Sequence, residues 1–119
     1  MRILRLAAVA MIVAACASTR IPSTGDHLVE ISRADRAIQD AQNAGADSLA
    51  SSTLTEARTA LAAARAAADN DRNRAALHAR KAAADAAYAQ ALAQRMIAER
   101  ARNAAQSELQ QVPPPGGAR

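Results

Sequence analysis

Alanine fills 36 of the 119 positions, and between Asp26 and Gln111 it is accompanied by one glycine, Gly45, and no proline. Alanine is the strongest helix former because it loses no side-chain freedom in a helix, whereas glycine and proline interrupt one. The same composition limits the core. About a dozen larger apolar side chains occupy that stretch, among them Leu28, Ile31, Ile38, Leu54, Leu61, Leu77, Leu92 and Ile97, and each stabilises by roughly 1.5–3 kcal/mol when buried. The expectation is an all-α chain, lightly packed and only modestly stable.

Spacing divides the chain. A first helix is expected from Asp26 to about Asn43, with Leu28, Ile31, Ala34, Ile38 and Ala41 forming one stripe. Gly45 should stop it, since glycine accepts the left-handed conformation common just past a helix end. Residues 46–52 form a short connection, itself partly helical. A second helix is expected from Thr53, where Thr53-Leu54-Thr55-Glu56 fits a capping box; its stripe is Leu54, Ala57, Leu61, Ala64 and Ala68. Asp69-Asn70-Asp71 then breaks the alanine run, with Asn70 suited to a left-handed cap and Asp71 to capping the next helix.

The third helix should run from Arg72 to about Gln110, roughly 60 Å. Ala75, Ala79, Ala82, Ala86, Ala89, Ala93 and Met96 form a heptad-like stripe, and small side chains permit close helix approach. Lys81–Asp85 and Arg95–Glu99 are four-residue pairs on its surface. Val112-Pro113-Pro114-Pro115-Gly116-Gly117 ends it and begins a tail over 112–119.

The expected architecture is an antiparallel helical hairpin or three-helix bundle whose long third helix projects beyond it. Two helices of about 16–18 residues cover only half of a 40-residue partner, so projection is expected from Tyr88 to Leu109. Leu92, Met96, Ile97 and Leu109 carry most of the larger apolar area there, and are the candidates for partner binding or self-association. The alternative is one continuous rod from Thr53 onward.

Chemistry is sparse in the sequence. It has no glycine-rich phosphate loop and no nucleophile elbow. His27 and His78 lie far apart, whereas a zinc site takes three or four ligands, so both read as solvated surface residues and no metal or cofactor is expected. Asp69 and Asp71 sit in a helical turn, where capping is the expected role. Tyr88, the only aromatic residue, reads as a packing residue at the bundle edge. Acidic and basic residues are interspersed, as in Arg33, Asp35, Arg36 and Asp40, and stacking aromatics are missing; this is not the pattern of a nucleic-acid binder. Neither an enzyme nor a small-molecule substrate is expected.

The first sixteen residues carry an address. Arg2 and Arg5 precede an apolar run of ten, Leu6 to Ala15, and the small residues Ala14 and Ala15 precede Cys16, the only cysteine. This is the layout of a secretory signal peptide, and the run is about half as long as a bilayer-spanning helix requires. Val13-Ala14-Ala15-Cys16 resembles a bacterial lipobox. That resemblance implies cleavage before Cys16, diacylation of its sulfur and acylation of the new amino terminus. Two or more acyl chains anchor a protein stably. By the same resemblance, Ala17 in place of an aspartate favours the outer membrane, with the protein facing the periplasm. The expected organisation is a signal peptide over 1–15, a tether over 16–25 and a helical domain over 26–111. The mature chain then has 13 basic and 11 acidic side chains.

Together with the lipobox, Ala44-Gly45-Ala46, Glu56-Ala57-Arg58 with Leu61, and Ala83-Ala84-Asp85-Ala86-Ala87 resemble, in their order over residues 10–105, the bacterial lipoprotein family called domain of unknown function 4398. That family is similar to a helical-hairpin module found ahead of peptidoglycan-binding domains of the outer-membrane-protein-A type. The resemblance implies no activity and no functional residues. The expected function is a non-enzymatic, lipid-anchored helical module of the cell envelope, binding an envelope partner or its own copies. The alternative is a self-associating spacer like the murein lipoprotein, against which stands the ending Gly117-Ala118-Arg119 in place of a wall-linked lysine.

Overall fold

The computed structural model describes residues 26–116. Residues 1–25, on which the expected signal peptide, Cys16 and the expected tether fall, and residues 117–119 lie outside the described residues. Four helices follow in order: α1 (His27–Asn43), α2 (Ala46–Leu49), α3 (Ser51–Ala67) and α4 (Arg72–Gln111). The described residues are all-helical apart from their turns and ends.

Local chemistry sets most of the boundaries. Asp26 caps α1, its carboxylate accepting from the Leu28 N–H at 3.1 Å. Gly45 closes α1 in the left-handed region, φ 87° and ψ 18°, as expected of the one glycine in the domain. Asp71 caps α4, accepting from the Arg74 N–H at 2.9 Å. This break separates α3 from α4, so the continuous rod does not form. After Gln111 the chain turns extended at Val112, the residue preceding Pro113.

Two capping expectations are corrected. The helix expected from Thr53 begins at Ser51, and no side chain caps it. The chain is already helical over Ala46–Leu49, so the first turn of α3 forms two residues early and Thr53 falls inside it. The Leu54 N–H, which a capping arrangement leaves free, donates to the Ala50 carbonyl at 3.0 Å. Asn70 does not adopt the left-handed conformation, since glycines are the only described residues with positive φ. Instead the turn is closed by the Asn70 and Asp71 N–H groups, which both donate to the Ala67 carbonyl.

Packing follows from the alanine stripe. In α4, Ala75, Ala79, Ala82, Ala86, Ala89 and Ala93 are fully buried, and α4 packs extensively against both α1 and α3, which touch each other far less. Positions 75, 82 and 89, and 79, 86 and 93, repeat every seven residues, a period that favours left-handed winding of helices about one another. Asp26 and His27, at the start of α1, line one cleft with Asp69, Asn70, Asp71, Arg72 and Asn73. Arg80 reaches Glu30 at 3.7 Å, and Arg65 reaches Asp35 at 3.0 Å. Accordingly α1 runs parallel to α4, and α3 runs antiparallel between their levels. This is an up-down-up arrangement in which α4 is the common partner.

The α1 face is rotated from its expected stripe. Ala34, Ile38 and Ala41 are buried as expected, but Leu28 is 56% exposed and Glu30 takes the buried place one turn before Ala34. A buried carboxylate is tolerated when ion-paired and hydrogen-bonded. Glu30 has Arg33 at 3.4 Å and Arg80 at 3.7 Å. In α3 the stripe holds for Leu54, Ala57, Leu61 and Ala64, joined by Ala60, while Ala68 lies past the helix end and is half-buried. Leu77 is exposed and adds nothing to the core.

Candidate interaction surface

The sequence places the start of the projecting segment at Tyr88; the structure moves it to about Ile97. Ala89 and Ala93 are fully buried, and Leu92 packs half-buried against the core. The cause is α2. Residues 44–50 continue the layer begun by α1, and α2 packs on α4, so the cover extends about two turns further than α1 alone supplies. Met96 is half-buried at the boundary, and every residue from Ile97 through Gly116 is exposed. The last four turns of α4 stand free of the rest of the described chain.

The four candidate residues do not form one site. Leu92 belongs to the core, Met96 marks its edge, and Ile97 and Leu109 are 51% and 73% exposed. At about 100° per residue, the twelve positions from Ile97 to Leu109 put their side chains about 120° apart round the helix. The bundle seam does not continue either. Beyond Met96 its heptad positions hold Arg100, Asn103, Ser107 and Gln110. The free segment is therefore not an uncovered copy of the packed one. Ile97, Ala101, Ala104 and Ala105 make a thin apolar stripe, flanked by Arg100 and Arg102 and ended by Glu108 on the same face.

Elsewhere the surface is salted with ion pairs. Arg58 meets Asp47 at 2.7 Å between α3 and α2, Lys81 meets Asp85 at 2.5 Å, and Arg95 meets Glu99 at 2.9 Å. The hydrogen bond from Lys81 to Asp85 raises the Lys81 pKa above its ordinary value, with Glu56 of α3 adding to the effect and desolvation opposing it. Exposed pairs of this kind contribute little to stability, because solvent and salt screen them. They set orientation more than stability.

Among the described residues, no group of three or more histidine, cysteine, aspartate or glutamate side chains is placed to hold a metal ion. His27 is not the freely solvated residue expected; its ring is mostly covered and Nδ1 lies 3.7 Å from the carboxylate of Asp26. His78 is half-buried on α4. Tyr88, expected to pack at the bundle edge, is 60% exposed and lies outside the core cluster. Asp69 and Asp71 share the cleft at the α3–α4 turn, where Asp71 serves as the cap. No described helix is long and apolar enough to cross a membrane. Glu30 is the residue that sequence reasoning missed; its partner Arg80 lies fifty positions away, and only Arg33, three residues on, gave a local signal.

No curated protein and no solved structure matches the chain. One family does, over residues 29–105, which spans α1 from its third residue through α2 and α3 and into the free part of α4; the chain belongs to the family described as "Domain of unknown function (DUF4398)".

Proposed function

We propose that the protein is a non-enzymatic, lipid-anchored helical module of the bacterial envelope, tethered through Cys16 to the periplasmic face of the outer membrane and offering α4 to another envelope component. The observation that carries this reading is the exposure of α4 from Ile97 onward, on a helix whose first half is fully engaged. An isolated helix of about 15 residues is marginal in water. Here it is nucleated by the bundle, which holds it ready without covering it. The lipobox-like Val13-Ala14-Ala15-Cys16 supports the address.

The test has two arms. Cys16→Ser should move the protein out of the membrane fraction, and intact-mass measurement of the wild type should show the acylated Cys16 terminus. In the native envelope, a photo-crosslinking residue at Ile97 or Leu109 should give a discrete adduct, which the same residue at exposed Leu77 should not. Adducts absent from both free-segment positions would remove the module reading, and sedimentation shows whether an adduct is a second copy or another protein.

A further inference from the structure

We infer that the protein stands on its lipid anchor with α4 pointing away from the membrane, so that residues 97–112 are presented several nanometres from the lipid surface. This rests on the proposed acylation of Cys16; the direction of α4 comes from the fold. The chain enters the bundle at Asp26, ten residues after Cys16. Asp26 and His27 line one cleft with Asp69 through Asn73, which places the start of α1 at the start of α4. The Glu30–Arg80 pair confirms the same parallel order one turn further up. The anchored end of the domain is therefore the amino-terminal end of α4, and the free segment is at the opposite pole.

The distances follow from helix geometry. Ile97 lies 25 residues into α4, about 38 Å from its start, and Gln111 about 58 Å. Ten residues of tether span at most about 35 Å. A partner of residues 97–112 thus meets them at roughly 40–90 Å from the lipid surface, which selects a periplasmic protein or wall-side component over a lipid headgroup.

Surface charge favours the upright posture over one lying flat. Residues 26–116 carry eleven basic and eleven acidic side chains. Arg33, Arg58, Arg65, Arg80, Lys81 and Arg95 are engaged with carboxylates of the domain itself. A polybasic flank gains about 1 kcal/mol per lysine or arginine near an anionic membrane, and this domain has no such flank. At the anchored pole the exposed carboxylates of Asp26, Asp69 and Asp71 outnumber the exposed Arg72 and Arg74, so that pole offers no net positive charge to anionic headgroups.

The chain contains no tryptophan, which supplies a clean probe. Asn73→Trp at the anchored pole and Ser107→Trp at the free pole, both exposed positions, are made in the full-length lipidated chain. Each is reconstituted into phosphatidylethanolamine–phosphatidylglycerol vesicles containing a dansyl-labelled lipid, and energy transfer from tryptophan to the bilayer surface is measured. Transfer several-fold stronger from position 73 than from position 107 is expected. Equal transfer from both, or stronger transfer from 107, overturns the upright orientation. A chain that fails to float with the vesicles breaks the acylation reading alone. The orientation is then read from the same two variants coupled through Cys16 to a maleimide lipid, with the same outcomes for and against.

Discussion

Alanine occurs in both halves of α4 and meets opposite fates in them. Over residues 75–93 alanine is the buried residue, invisible to solvent at six successive seam positions. Over residues 97–111 alanine is exposed, as is everything around it. Residue type therefore does not decide burial here. What decides it is whether seam positions stay small and apolar for long enough to receive α1, α2 and α3, and after Met96 they do not.

The largest expected difference between the halves is dynamic. Amides buried in the packed half open only with the domain. Even at the low end of ordinary stability, about 5 kcal/mol, this slows hydrogen exchange by roughly a thousandfold or more. Amides of residues 99–111 need only fray one helix and should exchange close to the unprotected rate. Hydrogen-exchange mass spectrometry decides the matter, and equal protection along all of α4 would erase the comparison.

The second contrast is steric. Ala86→Leu forces a branched side chain into a fully buried seam position and should cost about 1–3 kcal/mol, whereas Ala104→Leu should change stability by less than about 0.5 kcal/mol. Leu92→Glu should behave like the first and Ile97→Glu like the second, because Leu92 lies against the core and Ile97 does not. Thermal melts of the four variants check this. A neutral Leu92→Glu would return the boundary to Tyr88.

How much of this was legible in sequence depends on the range over which the deciding interaction acts. The α4 seam, the glycine stop at Gly45 and the cap at Asp71 are local, set by residues within a turn or two, and each is where the spacing places it. The rotation of α1 is not local. Leu28 is the better apolar candidate on periodicity, yet Glu30 is buried because Arg80 and Arg33 meet its carboxylate. The early start of α3 and the longer reach of cover on α4 share one cause, the four-residue helix α2, whose partial helicity was expected but whose packing on α4 is too short-ranged in sequence for periodicity to reveal. The error at Leu92 follows from that uncounted layer. As for the candidate surface, its general position was legible, but its membership was not, since apolar size says nothing about which face of α4 each side chain occupies.

The smallest expected contrast lies between two ion pairs of identical spacing. Lys81–Asp85 sits beside α3, where Glu56 adds to the pull, whereas Arg95–Glu99 lies at the edge of cover. Because the Lys81 pKa is raised in the fold, its contribution is complete below the ordinary lysine value of 10.5 and is lost as pH rises through the folded value. Asp85→Asn should lower the melting temperature slightly at neutral pH, and the gap from the wild type should close above about pH 10.5. A gap that persists at higher pH would assign the effect to something other than the lysine charge.

The seam of α4 repeats itself. Positions 75, 82 and 89 are all alanine, and so are 79, 86 and 93. Sliding a neighbouring helix by seven residues, about 10.5 Å, would bring it against an identical row of methyl groups. Such a surface works like a ruler whose marks carry no numerals: it tells a helix where it can rest but not which rest is the right one. The numerals are written beside the seam, in Glu30 against Arg80, Asp35 against Arg65, and the single large side chain of Leu54 buried to completion. Those few side chains, of which Leu54 alone contributes much to stability, carry the information that makes one alignment of this chain different from its neighbours.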